Sequence, residues 1–268
     1  MKNIRVGLAI QQSIAGAFEE NLSRSLGAVA RAGAEQADFI VFPEMNLTGY
    51  LAGSRIQSIA RPLDSSWIDS LSQASNCHNL TILAGLVELA DDDRIYATQL
   101  VISPHAPLSY YRKIHLAPYE TPYFSPGSRV QMFEQQGLRF GIQLCYDAHF
   151  PELSTAMALK GADVIFFPHA SPRGSSQEKY RSWMRHLTAR GFDNGVFVAA
   201  VNQTGDNQGG LEFPGLALVI GPDGYPVSEC VEPAETIHWV NMDMSAIDRV
   251  RDHKMRYFLP NRRTDLFQ

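Results

Sequence analysis

Along this chain, short apolar runs alternate with stretches in which apolar residues recur every three or four positions, and the two patterns take turns from one end to the other. Residues 4–10 (IRVGLAI) form a near-continuous apolar run, the pattern of a buried strand. The next stretch places Leu22, Leu26, Val29, Ala30 and Gly33 on one helical face, before 38–44 (DFIVFPE) reads as strand again. A second pair follows: a helix around 67–74 with Trp67, Ile68 and Leu71 apolar, then a strand over 80–88 (LTILAGLVE). Residues 97–103 and 109–115 read as the arms of a hairpin, parted by the turn formers Pro104 and Pro107.

Beyond residue 137 the alternation resumes. A strand is predicted to end at Cys145, a helix to begin near Pro151, and another strand to end near Pro168. Pro151 suits a first helical turn, where its missing N–H is no loss, and Gly161 suits a helix end. Tyr180, Trp183, Met184 and Leu187 stand at i, i+3, i+4 and i+7, which predicts a longer helix from about 176 to 193. Segments 196–205 and 215–227 close the pattern as strands, the second with a Pro-Asp-Gly turn. Strands and helices in this order give an α/β layered fold with helices covering sheet faces.

Composition narrows the picture. A chain of 268 residues that is 45% hydrophobic and 19% charged has ample core for one large domain, read as 1–268, with no linker or repeat to divide it. The tail from about 243 to 268 carries Tyr257, Phe258, Leu259 and Phe267 among many charges, which predicts that it docks against a surface. A net charge of −5 with no Lys/Arg stripe excludes nucleic acid as a partner. No run reaches the roughly 20 apolar residues of a membrane span, and the first ten residues lack the parts of a signal peptide. The odd, scattered Cys77, Cys145 and Cys230 argue for a reducing compartment, so the expectation is a cytoplasmic protein.

Three potentially reactive residues fall at or near the ends of predicted strands, where α/β folds bind ligands: Glu44, Lys113 and Cys145. A cysteine at a strand-to-helix turn has the setting of a nucleophile elbow, with nearby backbone N–H groups available to an oxyanion. Its thiol needs a base or a cation nearby, which Glu44 and Lys113 can supply. Taken singly, each has a plainer role: Cys145 as a small buried hydrophobe, Glu44 as a turn cap, Lys113 as a surface charge. Cys145 with His149, and Cys77 with His78, lack zinc-site spacing, so no metal is expected, and no glycine run has phosphate-loop spacing.

Taken together, FIVFPEMNLTGY (39–50), YRKIHLAPYE (111–120), YFSPG (123–127) and GIQLCYDAHFPE (141–152) resemble, in order and spacing, the nitrilase superfamily of carbon–nitrogen hydrolases. The likeness continues through 161–171 and 190–205 to RRTDLF at 262–267. It implies a four-layer α-β-β-α sandwich that pairs as a homodimer or higher homo-oligomer, with the 176–193 helix and the tail at the interface. It also implies a Glu44-Lys113-Cys145 triad, with Glu120 supporting the lysine and positioning substrate, and a cofactor-free reaction through a Cys145 thioester that releases ammonia or an amine.

Cys145-Tyr146-Asp147 resembles the amidase and carbamoyl-hydrolase branches, whereas nitrile-hydrolysing members usually show Cys-Trp-Glu. Hydrolases of N-carbamoyl-D-amino acids carry adjacent arginines where this chain has Ala148 and His149, which cannot make that bidentate grip on a carboxylate. The implied partner is a small amide or N-carbamoyl compound. Tyr50, His115, Tyr146, His149, His169, Ser171 and Asn202 are the candidate substrate contacts, each with a plainer role as a satisfied structural group. The alternatives are a nitrile hydrolase of the same superfamily, a non-catalytic binding or regulatory protein on the same scaffold, and an acyl transferase sharing the chemistry.

Overall fold

In the computed structural model, which describes residues 3–266, the chain runs through β1 (Ile4–Ile10), α1 (Phe18–Ala34), β2 (Phe39–Val41), α2 (Ser65–His78), β3 (Thr81–Leu89), β4 (Ile95–Ile102) and β5 (Ser109–Arg112). It continues through β6 (Phe133–Gln135), β7 (Leu138–Ile142), α3 (Pro151–Leu159), β8 (Val164–His169), α4 (Ser176–Asn194) and β9 (Phe197–Asn202). The last elements are β10 (Gly205–Asp206), β11 (Glu212–Phe213), β12 (Leu216–Ile220), β13 (Pro226–Cys230), β14 (Thr236–Met242) and α5 (Ser245–Arg251). Two six-stranded sheets result, ordered β14-β1-β2-β3-β4-β5 and β13-β12-β9-β8-β7-β6, and β10 and β11 form a small ribbon.

The side-chain alternation of each strand divides the core. In β2, Phe39 and Val41 face the second sheet, where Phe39 meets Phe140 at 5.4 Å edge-on and Phe166 at 5.8 Å. Ile40 and the following Phe42 face α1 and α2 with Val29, Leu71 and Ile82. Helices α3 and α4 cover the outer face of the second sheet. The layers are therefore α-β-β-α, and the central strands are apolar on both faces because both faces are covered.

Several differences from the sequence reading have local causes. The strand expected to end at Cys145 stops at Ile142. The Gln143 N–H still bonds the Phe166 carbonyl at 2.9 Å, but the Leu144 N–H turns to the Asp147 carboxylate at 3.0 Å. In α1, Ala30 points outward, because the covered face is built on Leu22, Ser25, Ala28, Val29 and Ala32. Strand β14 has no continuous apolar run in the sequence because, as an edge strand, it is only partly covered and carries His238 and Asn241 among its apolar residues. It pairs antiparallel with all of β1, from Ile4 opposite Met242 to Ile10 opposite Thr236. The tail packs in part on its own domain: Met244, Ile247, Val250 and Leu259 are buried, and Arg251 bonds Asp163 at 3.1 Å. Phe267 lies outside the described residues.

Candidate active site

Glu44 sits in a turn that leaves β2 as soon as ladder pairing fails. Phe42 still donates to the Leu83 carbonyl at 2.8 Å, but Pro43 has no N–H to give. Met45 takes a left-handed φ of 57°. The turn is pressed onto β3 at Gly85, where an added Cβ would lie 2.5 Å from the Met45 nitrogen and 2.6 Å from the Gln99 side-chain oxygen. Asn46 accepts from the Gly85 N–H at 2.7 Å, and the Gln203 side chain donates to the Glu44 carbonyl at 2.8 Å. A carboxylate is thereby fixed from both sheets, since Gln203 follows β9.

Lys113 is the first residue past β5, and its N–H still bonds the Ala97 carbonyl at 2.9 Å. Its ammonium, 1% exposed, donates to Glu44 Oε1 and Glu120 Oε1, each at 2.9 Å. The second oxygens of those carboxylates accept backbone N–H groups, from Ala170 at 3.1 Å and Ala117 at 2.8 Å. Burial raises the Glu44 carboxyl, Lys113 pulls it down and Glu120 pushes it up, leaving it at about 7. Burial opposes the Lys113 charge, but the two carboxylates outweigh it and hold the ammonium well above the usual lysine range.

Cys145 opens a single 3-10 turn, Cys145–His149, and takes a left-handed φ of 43°, a strained conformation for a residue with a side chain. The turn hangs on Asp147, which is fully buried and accepts the Leu144 N–H, the Tyr111 hydroxyl at 2.8 Å, the His115 N–H at 2.8 Å and His115 Nδ1 at 2.9 Å. Arg190 of α4 donates to the Ala148 carbonyl at 2.9 Å and holds the far side of the turn. Burial and the Glu44 charge push the thiol up to about 12, with Lys113 opposing them.

A cavity of about 490 Å³ adjoins this cluster, walled by Tyr50, Tyr119, Tyr123, Ser171, Arg173 and Leu211 among others. Its tyrosines reach the charged groups: burial and Glu120 push the Tyr50 phenol up, and burial and Cys145 do the same to Tyr119. A second cavity of about 470 Å³ is bordered by Arg94, Tyr96 and Arg112 at the β4–β5 edge.

The family model for carbon–nitrogen hydrolases matches residues 6–252. The chain belongs to the carbon–nitrogen hydrolases. An (R)-stereoselective amidase from a Pseudomonas species is 32% identical over 233 residues, covering 86% of this chain and 82% of the relative. A nitrilase from Pyrococcus abyssi is 27% identical over 253 residues, 93% of each chain. The crystal structure of Saccharomyces cerevisiae Nit3, a member of branch 10 of the nitrilase superfamily, superposes with a TM-score of 0.83 at 25% identity, covering 96% of this chain and 97% of that one. The superfamily, the four-layer fold and the hydrolase class expected from the sequence are therefore borne out.

In this carbon–nitrogen hydrolase the expected site residues divide. Glu44, Lys113, Glu120 and Cys145 converge, and Tyr50 and Ser171 line the cavity. Tyr146 lies in the cysteine turn, its ring edge-on to His149 and Phe150, 5.5 Å from each. His169 is buried against Trp183 at 4.2 Å, and its Nδ1–H donates to the Phe167 carbonyl; burial holds the ring neutral. Asn202 is spent on backbone, accepting the Ser171 N–H at 2.9 Å and donating to the Ser171 carbonyl at 3.0 Å. His115 stacks on Phe150 at 3.7 Å and serves Asp147, and His149 packs against His186 at 4.7 Å, so the structure ties both into the protein frame.

Sequence reasoning missed the anchoring work of Asp147, Arg190 and Gln203, the presence of Tyr119 at the cavity, and the bonds of Lys179 to the cavity-lining Ser171 and Pro172. Asp147 had a signal, its place two residues after the cysteine. Lys179 had none, because a lysine in the first turn of an amphipathic helix reads as a solvated charge.

Proposed function

We propose that this hydrolase cleaves a small amide through a thioester on Cys145, with Glu44 carrying the proton. The observation that carries the reading is the buried Glu44–Lys113–Glu120 chain of 2.9 Å contacts beside a cysteine in a left-handed turn. With its pKa near 12, the thiol stays protonated at neutral pH, so no thiolate waits in the resting enzyme. Glu44, poised near 7, takes the proton as sulfur attacks the carbonyl carbon. Lys113 and the Tyr146 N–H, the second amide of the 3-10 turn and without a partner inside it, hold the developing oxyanion. Glu44 then passes the proton to the leaving nitrogen, ammonia or amine departs, and water activated by Glu44 attacks the thioester to release the acid. Glu120 fixes the lysine and raises the pKa of Glu44.

Cys145-Tyr146-Asp147 and the likeness to the Pseudomonas amidase favour an amide over a nitrile. Ala148 and His149 disfavour N-carbamoyl amino acids held in the manner of their known hydrolases. Nitrile hydrolysis by the same thiol is the second reading, favoured by the likeness to the Pyrococcus nitrilase. The protein is further proposed to act in the cytoplasm as one domain that pairs through α4 and the C-terminal tail.

The test is an ammonia-release screen over small amides, N-carbamoyl compounds and nitriles, with Cys145→Ala as the blank. Amide turnover that falls about 10²–10⁴-fold in Glu44→Gln and Lys113→Met, and to background in Cys145→Ala, supports the proposal. Activity that survives in the blank removes it. Fast iodoacetamide labelling of Cys145 that depends on Glu44 separates the enzyme from an inert binding protein on the same scaffold.

A further inference from the structure

Two cations that the chemistry above does not use stand at this cavity: Arg173 in its wall, and Lys179 bonded to the wall segment. The segment that leaves β8 passes directly from the active site to this wall. Ala170 donates its N–H to Glu44 Oε2 at 3.1 Å, and the next residues, Ser171, Pro172 and Arg173, line the cavity. Lys179, in the first turn of α4, folds back onto that segment and donates to Ser171 Oγ at 2.8 Å and to the Pro172 carbonyl at 3.1 Å. An ammonium has three protons to donate, so one remains.

No carboxylate among the described residues neutralises this pair. Neither Lys179 nor Arg173 has a carboxylate partner among the described residues. The two repel one another, and the positive end of α4 disfavours a cation in its first turn. Burial adds to the cost and lowers the pKa of Lys179. The ammonium is near enough to Cys145 for each to influence the other's ionisation. Like charges beside a nucleophile, an exposed Arg173 at the cavity wall and a half-buried Lys179, are suited to an anion supplied by the ligand.

We propose that Lys179 and Arg173 form the carboxylate-binding end of the substrate cavity, so that the preferred substrates are short amides carrying a carboxylate on the acyl chain. The inference rests on the amidase reading and names its substrate class. It also accounts for Ala148 and His149, since a carboxylate gripped from the Ser171–Lys179 side needs no arginines beside the cysteine turn.

The test compares succinamate and glutaramate with butyramide and pentanamide on the purified full chain. The wild type is expected to favour the anionic amides by about tenfold or more in kcat/KM. Lys179→Met should lower that ratio by about tenfold, chiefly through KM, Lys179→Arg should retain most of it, and Lys179→Glu should invert it. A wild-type ratio near one, or a ratio unchanged in Lys179→Met, overturns the proposal. Calorimetric titration of glutarate into Cys145→Ala protein reads the site without turnover. Binding that disappears when Lys179→Met is added supports the site; binding that is absent or unaffected overturns it. If no amide is hydrolysed yet glutarate binding depends on Lys179, the carboxylate site stands and the amidase reading falls.

Discussion

At the scale of single residues, the site is an arrangement of charges whose acidities the fold has moved. In the proposed mechanism Glu44 must be ionised to accept the thiol proton, and its folded pKa is about 7, so kcat/KM should rise with pH through that value. Glu120 is a negative neighbour that raises Glu44. Glu120→Gln should therefore move the acid limb of the kcat/KM profile to lower pH, a direction that pH-rate measurements read without reference to absolute activity; a limb that stays in place or moves up would remove Glu120 from this role. The sign for stability is the reverse of the sign for catalysis. Because the folded state holds this proton more tightly than the ordinary value of 4.5, the Glu44 contribution to stability is lost as pH rises from about 4.5 through 7. The convergence of Glu44, Lys113, Glu120 and Cys145 was legible in the sequence because each stands in one of the motifs that carry the family resemblance. The roles of His115 and Asn202 were not, because a polar residue beside a motif looks the same whether it meets a ligand or a backbone amide.

At the scale of elements, turns rather than strands carry the groups of the proposed chemistry. Apolar runs fixed the number and type of most strands, but not where they stop. Glu44 and Cys145 each lie three residues beyond the last strand residue, Val41 and Ile142, because side chains there take over the backbone hydrogen bonds. Such exchanges pair Leu144 with Asp147 and Gly85 with Asn46, and no hydrophobic periodicity encodes them. Gly85→Ala tests the first of these turns: the new methyl has backbone at 2.5 Å and cannot be accommodated unless the Glu44 turn shifts. The expected result is a fall in kcat of about 10²-fold with a lower melting temperature. Gly27→Ala is the control, since it meets nothing within 4 Å on α1 and should raise stability by about 0.5–1 kcal/mol in a denaturant titration. Equal effects of the two substitutions would show that the Glu44 turn has slack. The spacing of Tyr180, Trp183, Met184 and Leu187 predicts helix α4 almost to the residue, and the structure shows its ends chemically marked: Ser175 and Glu178 exchange hydrogen bonds in a capping box, and Gly195 ends it at a φ of 60°.

At the scale of the whole molecule, the outer face of α4 and the tail present Phe192 and Phe258, their rings 5.3 Å apart and 46% and 39% exposed, with Tyr225 and Met255 also open to solvent. Exposed apolar groups gathered in this way suit the proposed homodimer. Phe192→Arg should shift the protein from dimer to monomer in light scattering while the far-ultraviolet circular dichroism stays the same; an unchanged mass would place the interface elsewhere. The sheet-on-sheet layering has a consequence of another kind. Glu44 and Lys113 hang from one sheet, and Cys145 and Ala170 from the other, so the gap between acid and sulfur is set by how the Phe39–Phe140–Phe166 aromatics mesh across the interior. Turnover thus serves as a gauge of slippage between the two halves of the sandwich. On gentle heating or in mild urea, it would fade while both sheets remain fully hydrogen-bonded, long before the fold itself comes apart.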